Sequence, residues 1–161
     1  AALELLEDVH DLQVVVAPVS GGGLLSGTAI AVHESSSEIK VIGAEPMADD
    51  DAYRSFMEGR IFPAMNSKTI ADGLAGVSLG ALTFPIIQEL VSSIITISED
   101  AILKAMRLIW ERLKIVVEPS AAVPLGALFS EKSDFSGKRV GIILSGGNVD
   151  LDRLPWHKDA V

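Results

Sequence analysis

Val16-Ala17-Pro18-Val19-Ser20-Gly21-Gly22-Gly23-Leu24-Leu25-Ser26-Gly27 reads as a strand, a glycine turn and the start of a helix. The strand half, Gln13 to Pro18, is a continuous run of small and β-branched apolar residues. Such a run suits a strand covered on both faces, as in a parallel sheet. Consecutive glycines let the backbone turn tightly and aim several N–H groups into one concavity. The helix from Leu24 to about Glu34 adds its own unpaired N–H groups and its dipole. Together these groups cradle a phosphate, with the Ser20 hydroxyl as a further donor. On the glycines alone, a strained turn with no ligand is the competing reading. No Gly-Lys-Ser/Thr follows the turn, which disfavours a nucleoside triphosphate. The G-x-G-x-x-G spacing is also missing. Glu45 ends the next apolar run about 20 residues on, where a ribose-binding acid sits in dinucleotide folds, and this keeps a weak rival open.

Outward from the turn, strands and helices alternate. Ala1 to about Glu7 forms a helix, with Leu3, Leu6 and Val9 on one stripe. Lys40 to Ala44 is a second buried strand, and Asp49 to Gly59 a short helix with an acidic first turn. Pro63 to Gly80 is rich in breakers and reads as loop. Leu82 to Leu90 is helical, with Pro85 in the first turn. After a strand from Ser93 to Ile97, Ser98 caps a helix carrying Ile102, Ala105, Met106, Ile109 and Leu113 at helical spacing. Pro119 to Phe129 gives another helix and Arg139 to Leu144 the last buried strand, followed by Ser145-Gly146-Gly147-Asn148. The alternation predicts an α/β fold: three layers, a mostly parallel sheet with helices on both faces.

Composition narrows the function. The chain has 161 residues, enough for one domain or part of a larger one. Its formal charge is -9, with no Lys/Arg cluster, so nucleic acid and anionic membranes are poor partners. No apolar run is long enough to span a bilayer. Cysteine is absent, which excludes disulfides, thiolate catalysis and Cys-ligated metals, and fits a reducing, cytoplasmic setting. His10, His33 and His157 are scattered and form no ligand or triad spacing. The Met and Trp residues fit core packing. The opening Ala-Ala-Leu-Glu-Leu-Leu reads like the middle of a helix, the first sign of a fragment.

Several motifs then stop being generic. Pro18 to Gly27 resembles the phosphate cup of fold-type II pyridoxal-phosphate enzymes. Glu118-Pro119-Ser120-Ala121-Ala122 and Leu144-Ser145-Gly146-Gly147-Asn148-Val149-Asp150 are similar to two motifs of the serine racemase and serine/threonine dehydratase branch. Gly43-Ala44-Glu45-Pro46, the acidic run Asp49-Asp50-Asp51, and Thr69-Ile70-Ala71-Asp72-Gly73 fit the same branch in the same order. The resemblance covers nearly the whole chain. It implies that residues 1–161 are the C-terminal part of the cofactor-binding large domain. The Schiff-base lysine belongs to an N-terminal half absent from this chain, so Lys40, Lys68 and Lys138 are read as solvated charges. No residue here is then assigned a proton-transfer role.

The same resemblance implies the site residues. Ser20, Gly21, Gly22, Gly23 and Leu24 hold the phosphate, although many members have a glycine in place of Ser20. Gly73 and Glu118 line the cofactor, with Asp72 shaping the loop that carries Gly73, and Asn148 and Asp150 ordering the turn beside Ser145. An unpaired charge at Glu118, after the apolar Ile115-Val116-Val117, is costly, so its ordinary role is a hydrogen bond to backbone. Ser145 partners the pyridine nitrogen. A hydroxyl does not force that nitrogen to be protonated as a carboxylate would, which suits β-elimination and racemisation better than transamination.

Glu45 and Asp51, with the backbone carbonyl of Asp49, hold Mg²⁺ or Ca²⁺ in the family, a hard cation suited to oxygen ligands. From composition alone, the same acids read as a solvated helix N-terminus. The implied activity of the completed enzyme is serine racemase with serine/threonine dehydratase activity, in a homodimer acting on serine or threonine. The alternatives are a catabolic threonine dehydratase and a non-catalytic cofactor- or nucleotide-binding module.

Overall fold

In the computed structural model, which describes residues 1–65, 68–130 and 134–156, the valine run becomes β1, Val14–Pro18, buried along its whole length. It is flanked in chain order by α1, Ala2–Asp8, and α2, Gly23–Ser35. Then come β2, Lys40–Pro46, α3, Asp51–Glu58, α4, Thr83–Leu90, β3, Ser93–Ile97, α5, Glu99–Leu108, α6, Pro119–Ala127, and β4, Val140–Ile142. The strands lie in the order β3-β2-β1-β4, and every pairing is parallel.

Alternation along the strands sorts the core into two layers. Val15, Ala17 and Val41 face one side with Leu25, Ala29, Ile87 and Ala2, under α1, α2 and α4. Val14, Val16, Ile42 and Ala44 face the other with Ile102, Val123 and Ala127, under α5 and α6. Helices therefore cover both faces, as the alternation predicts. A third cluster joins Met106, Ile109 and Val117 to Trp110 and Trp156, whose rings meet edge-on at 5.3 Å. Among the described residues, no helix is long and apolar enough to cross a membrane.

Several details depart from the sequence reading. In α1 the packed stripe is Ala2, Leu5, Leu6 and Val9, the i, i+3, i+4, i+7 pattern, while Leu3 is exposed. The helix of α5 widens into a π-helical turn at Ile109–Leu113 and stops at Lys114, whose φ is 58°. That rotation takes Leu113 off the buried stripe and into solvent. Strand β2 does not stop at Ala44, because Glu45 and Pro46 pair on with Thr96 and Ile97. The last strand is shorter than expected and half-buried, because β4 has a neighbour, β1, on one side only. Of the methionines, Met106 is core, whereas Met47, Met57 and Met65 are exposed. His10 and His33 are exposed, and His157 lies outside the described residues. Lys40, Lys68 and Lys138 are exposed, as expected.

Candidate functional site

Parallel sheets present ligands at the carboxyl ends of their strands. Strands β1 and β4 lie side by side with Val16 opposite Ile142, so both chains leave the sheet at this end. Ser20 and Ser145 follow there, on the loops after β1 and β4.

The glycine turn is held in one conformation by its neighbours. Gly22 occupies the left-handed region, with φ 87°, and stands at the N-cap of α2. A side chain there is blocked twice, since a Cβ would lie 2.7 Å from both Ile87 Cδ1 and Thr83 Oγ1. Gly23 and Leu24 open α2 and are exposed. Among the described residues, none of the N–H groups of Gly21, Gly22, Gly23 or Leu24 donates a hydrogen bond within the chain. Consecutive free donors at a helix start suit a phosphate. Ser20 is half-buried and packs on Gly76, where a Cβ would come within 2.5 Å of its Oγ.

Glu118 joins the other two candidate segments. Its Oε2 accepts the Asn148 N–H at 2.8 Å, and its own N–H donates to Gly146 O at 3.2 Å. A Cβ on Gly146 would sit 2.8 Å from Glu118 Oε1, and one on Gly73 would sit 3.6 Å from the same atom. The expected backbone hydrogen bond of Glu118 is thus present; it fixes the residue to the turn after Ser145, with the Gly73 loop packed alongside. Asp72 Oδ1 accepts the Gly73 N–H at 2.9 Å, shaping that loop as expected. Asn148 acts through its backbone, whereas Asp150 Oδ1 accepts the Asp152 N–H and orders the turn after Asn148. Ser145 is exposed, and its side chain makes no hydrogen bond among the described residues. Replacing Glu118 by Ala is expected to cost about 1–3 kcal/mol, the penalty for stranding a polar partner. Amide exchange at Asn148 should accelerate with it, and Glu118→Gln, which keeps an acceptor, should restore most of the protection.

One clamp was missed from sequence. Glu99, the first residue of α5, accepts the Thr69 hydroxyl at 2.8 Å and the Ile70 N–H at 2.8 Å. It thereby anchors the loop leading to Gly73. The partners lie thirty residues apart and no motif links them, so no local signal could have shown the pairing.

The acidic segment is not a solvated helix end. Glu45, Asp49 and Asp51 are all buried. Glu45 accepts the Ala52 and Tyr53 N–H groups, each at 2.9 Å, and so caps α3 from the preceding strand. With both oxygens turned onto that helix, it does not present a ribose-binding acid, and the dinucleotide rival falls. Asp49 Oδ1 is buried without a hydrogen-bond partner. Burial pushes Glu45 up to about 8, against the lowering effect of its two backbone hydrogen bonds. Burial first, then the neighbouring Asp49, raises Asp51 to about 6. Among the described residues, no three acidic or histidine side chains converge as a ready-made metal cluster.

A cavity of about 440 Å³ opens at the opposite, amino end of the strands, lined by residues including His10, Lys40 and Lys138. Those side chains are exposed, and the cavity is remote from the glycine turn.

A family model described as "Pyridoxal-phosphate dependent enzyme" matches residues 1–146. The β-hydroxyaspartate dehydratase of Paracoccus denitrificans (strain Pd 1222) is 51% identical over 156 residues, 97% of this chain and 49% of that protein. The serine racemase of Dictyostelium discoideum is 49% identical over 160 residues, 96% of this chain and 48% of its own. The crystal structure of that racemase superposes with a TM-score of 0.88, covering 93% of this chain and 48% of its own. The chain spans about half the length of the curated relatives it matches.

Proposed function

The chain belongs to the pyridoxal-phosphate dependent enzyme family, and from that premise we propose that it is the C-terminal, cofactor-cradling part of a serine racemase with serine/threonine dehydratase activity. The observation that carries the reading is the row of unpartnered N–H groups from Gly21 to Leu24 at the carboxyl end of β1. Pyridoxal phosphate, when bound, acts as the electron sink that makes the Cα proton of an amino acid acidic. This chain's part is to hold and orient. The Ser20–Leu24 turn receives the phosphate. Glu118 braces the turn after Ser145, with the Gly73 loop packed alongside. Ser145 Oγ would partner the pyridine nitrogen without forcing its protonation. The lysine that moves protons comes from the N-terminal half, residues 1–161 being the C-terminal part of the large domain. We place the full enzyme in the cytoplasm as a homodimer.

A second reading has its own support. The 51% identical relative is a β-hydroxyaspartate dehydratase, so the substrate can be a 3-hydroxy amino acid with a second carboxylate. Both readings share loss of the Cα proton and departure of the β-hydroxyl, and they differ in whether a second substrate carboxylate is gripped.

Glu45, the Asp49 carbonyl and Asp51 are proposed to hold Mg²⁺ or Ca²⁺. Three buried acids within seven residues, with Asp49 Oδ1 orphaned, offer oxygen ligands that a hard cation would hold in the ionised form. Glu45 keeps free lone pairs beyond its two cap bonds.

The activity is tested by fusing this chain to the lysine-bearing half of the Dictyostelium serine racemase. The chimera, with cofactor, should release pyruvate and D-serine from L-serine or ammonia from 3-hydroxyaspartate, and the chain alone should release none. Turnover by the chain alone, or a folded, cofactor-loaded chimera inert towards all of these substrates, would refute the assignment.

A further inference from the structure

Thr83 opens α4 and lies 62 residues from the glycine turn, yet its Oγ1 donates to Gly21 O at 2.7 Å. The Gly80 N–H donates to the same carbonyl at 3.0 Å. The Gly21 carbonyl is therefore held by two donors from the loop and helix behind the turn. In a trans peptide, the C=O and N–H of one plane point in opposite directions. Pinning Gly21 O towards α4 thus aims the Gly22 N–H the other way, where no group among the described residues accepts it. The contact is also close sideways, since a Cβ on Gly22 would lie 2.7 Å from Thr83 Oγ1. The Gly80 carbonyl accepts the Thr83 and Phe84 N–H groups at 3.1 and 2.9 Å, which joins the loop to the helix on the same side.

We infer that Thr83 is a positioning residue of the phosphate site: its hydroxyl sets the Gly21–Gly22 peptide so that the Gly22 N–H faces the anion. The inference rests on reading the Ser20–Leu24 turn as a phosphate cup. Thr83 itself does not touch the ligand. It acts by removing the freedom of a glycine peptide that would otherwise have to be ordered on binding, which is a pre-organisation effect.

The test is an ¹H–¹⁵N NMR titration of the full 161-residue chain with pyridoxine 5′-phosphate, which has the phosphate but no aldehyde to react with lysines. Pyridoxine without phosphate is the control. In the wild type, the amides of Gly21 to Leu24 should shift with the phosphorylated probe only. Thr83→Val should bind about tenfold more weakly, the loss of about one hydrogen bond, and should lose most of the Gly22 shift. Thr83→Ser, which keeps the hydroxyl, should restore both. If Thr83→Val does not fold, Thr83→Ala carries the same contrast. A Thr83→Val chain with wild-type affinity and an unchanged Gly22 shift overturns the inference but leaves the cup. So does a Thr83→Ser chain as weak as Thr83→Val, because packing by the methyl would then be the cause. A wild-type chain whose Gly21 to Leu24 amides ignore the probe overturns the cup and this inference together.

Discussion

Gly22→Ala is expected to destabilise the chain by about 2–5 kcal/mol, and Gly23→Ala by far less. Gly22 sits at φ 87°, and a left-handed L-residue costs about 1–2 kcal/mol. The added methyl would meet Ile87 Cδ1 and Thr83 Oγ1 at 2.7 Å and Leu79 Cδ2 at 3.0 Å. Overpacking of this kind adds about 1–3 kcal/mol. Gly23 has ordinary φ and nothing within 4 Å of its Cβ position. Urea melts of the two variants measure the contrast. Equal losses would show that the turn is not held against α4 as described. Any Gly22→Ala protein that still folds should bind pyridoxine 5′-phosphate poorly, because relieving the clash moves the turn whose N–H groups form the cup.

The second large effect concerns the buried acids. Glu45 and Asp51 are raised from ordinary values of 4.5 and 3.8 to about 8 and about 6. A carboxyl whose pKa rises on folding favours the folded state in its protonated form. Its contribution is fully present below the unfolded value and is lost as pH rises through the folded one. The metal-free chain should therefore lose stability between about pH 4 and pH 8, Asp51 acting first and Glu45 later. Millimolar Mg²⁺ or Ca²⁺ at pH 7.5 should reverse the loss. At a hundredfold excess over Kd, linkage gives about 2.7 kcal/mol, roughly 5–10 °C in Tm for a domain of this size. Asp51→Asn should flatten the pH dependence near pH 6 and remove most of the cation effect. An equal cation shift in wild type and Asp51→Asn would count against the site.

The layered α/β fold was legible because its strands are short, apolar and bounded by turn residues. Val14 to Val16 and Ile94 to Ile97 say "buried strand" without help from the rest of the chain. What could not be read was set by tertiary contact. Glu45 looked like a strand end, and only the arrival of α3 above it turns it into a buried cap. Leu113 fitted a helical stripe, but the widened π-helical turn rotates it outward. The members of the candidate site were readable as motifs, since Ser20–Gly23, Glu118 and Ser145–Asn148 are each local. Their supports were not. Thr83 and Glu99 reach across 62 and 30 residues with ordinary side chains, and distance in sequence hides such pairs.

Ser145 carries a prediction of its own in the chimera. Ser145→Asp should favour a protonated pyridine nitrogen and hence a stronger electron sink. A better stabilised carbanion has less drive to expel the β-hydroxyl, so the ratio of pyruvate to D-serine should fall. An unchanged product ratio would place Ser145 away from the ring nitrogen.

If the carboxyl end of β1 and β4 holds the cofactor by its phosphate, a crystal structure of this chain with pyridoxine 5′-phosphate will show it there. The phosphate oxygens should lie within about 2.7–3.2 Å of the N–H groups of Gly21 to Leu24. The ring should point towards Ser145. Phosphate bound instead in the cavity beside His10, Lys40 and Lys138, at the other end of the sheet, would contradict the account.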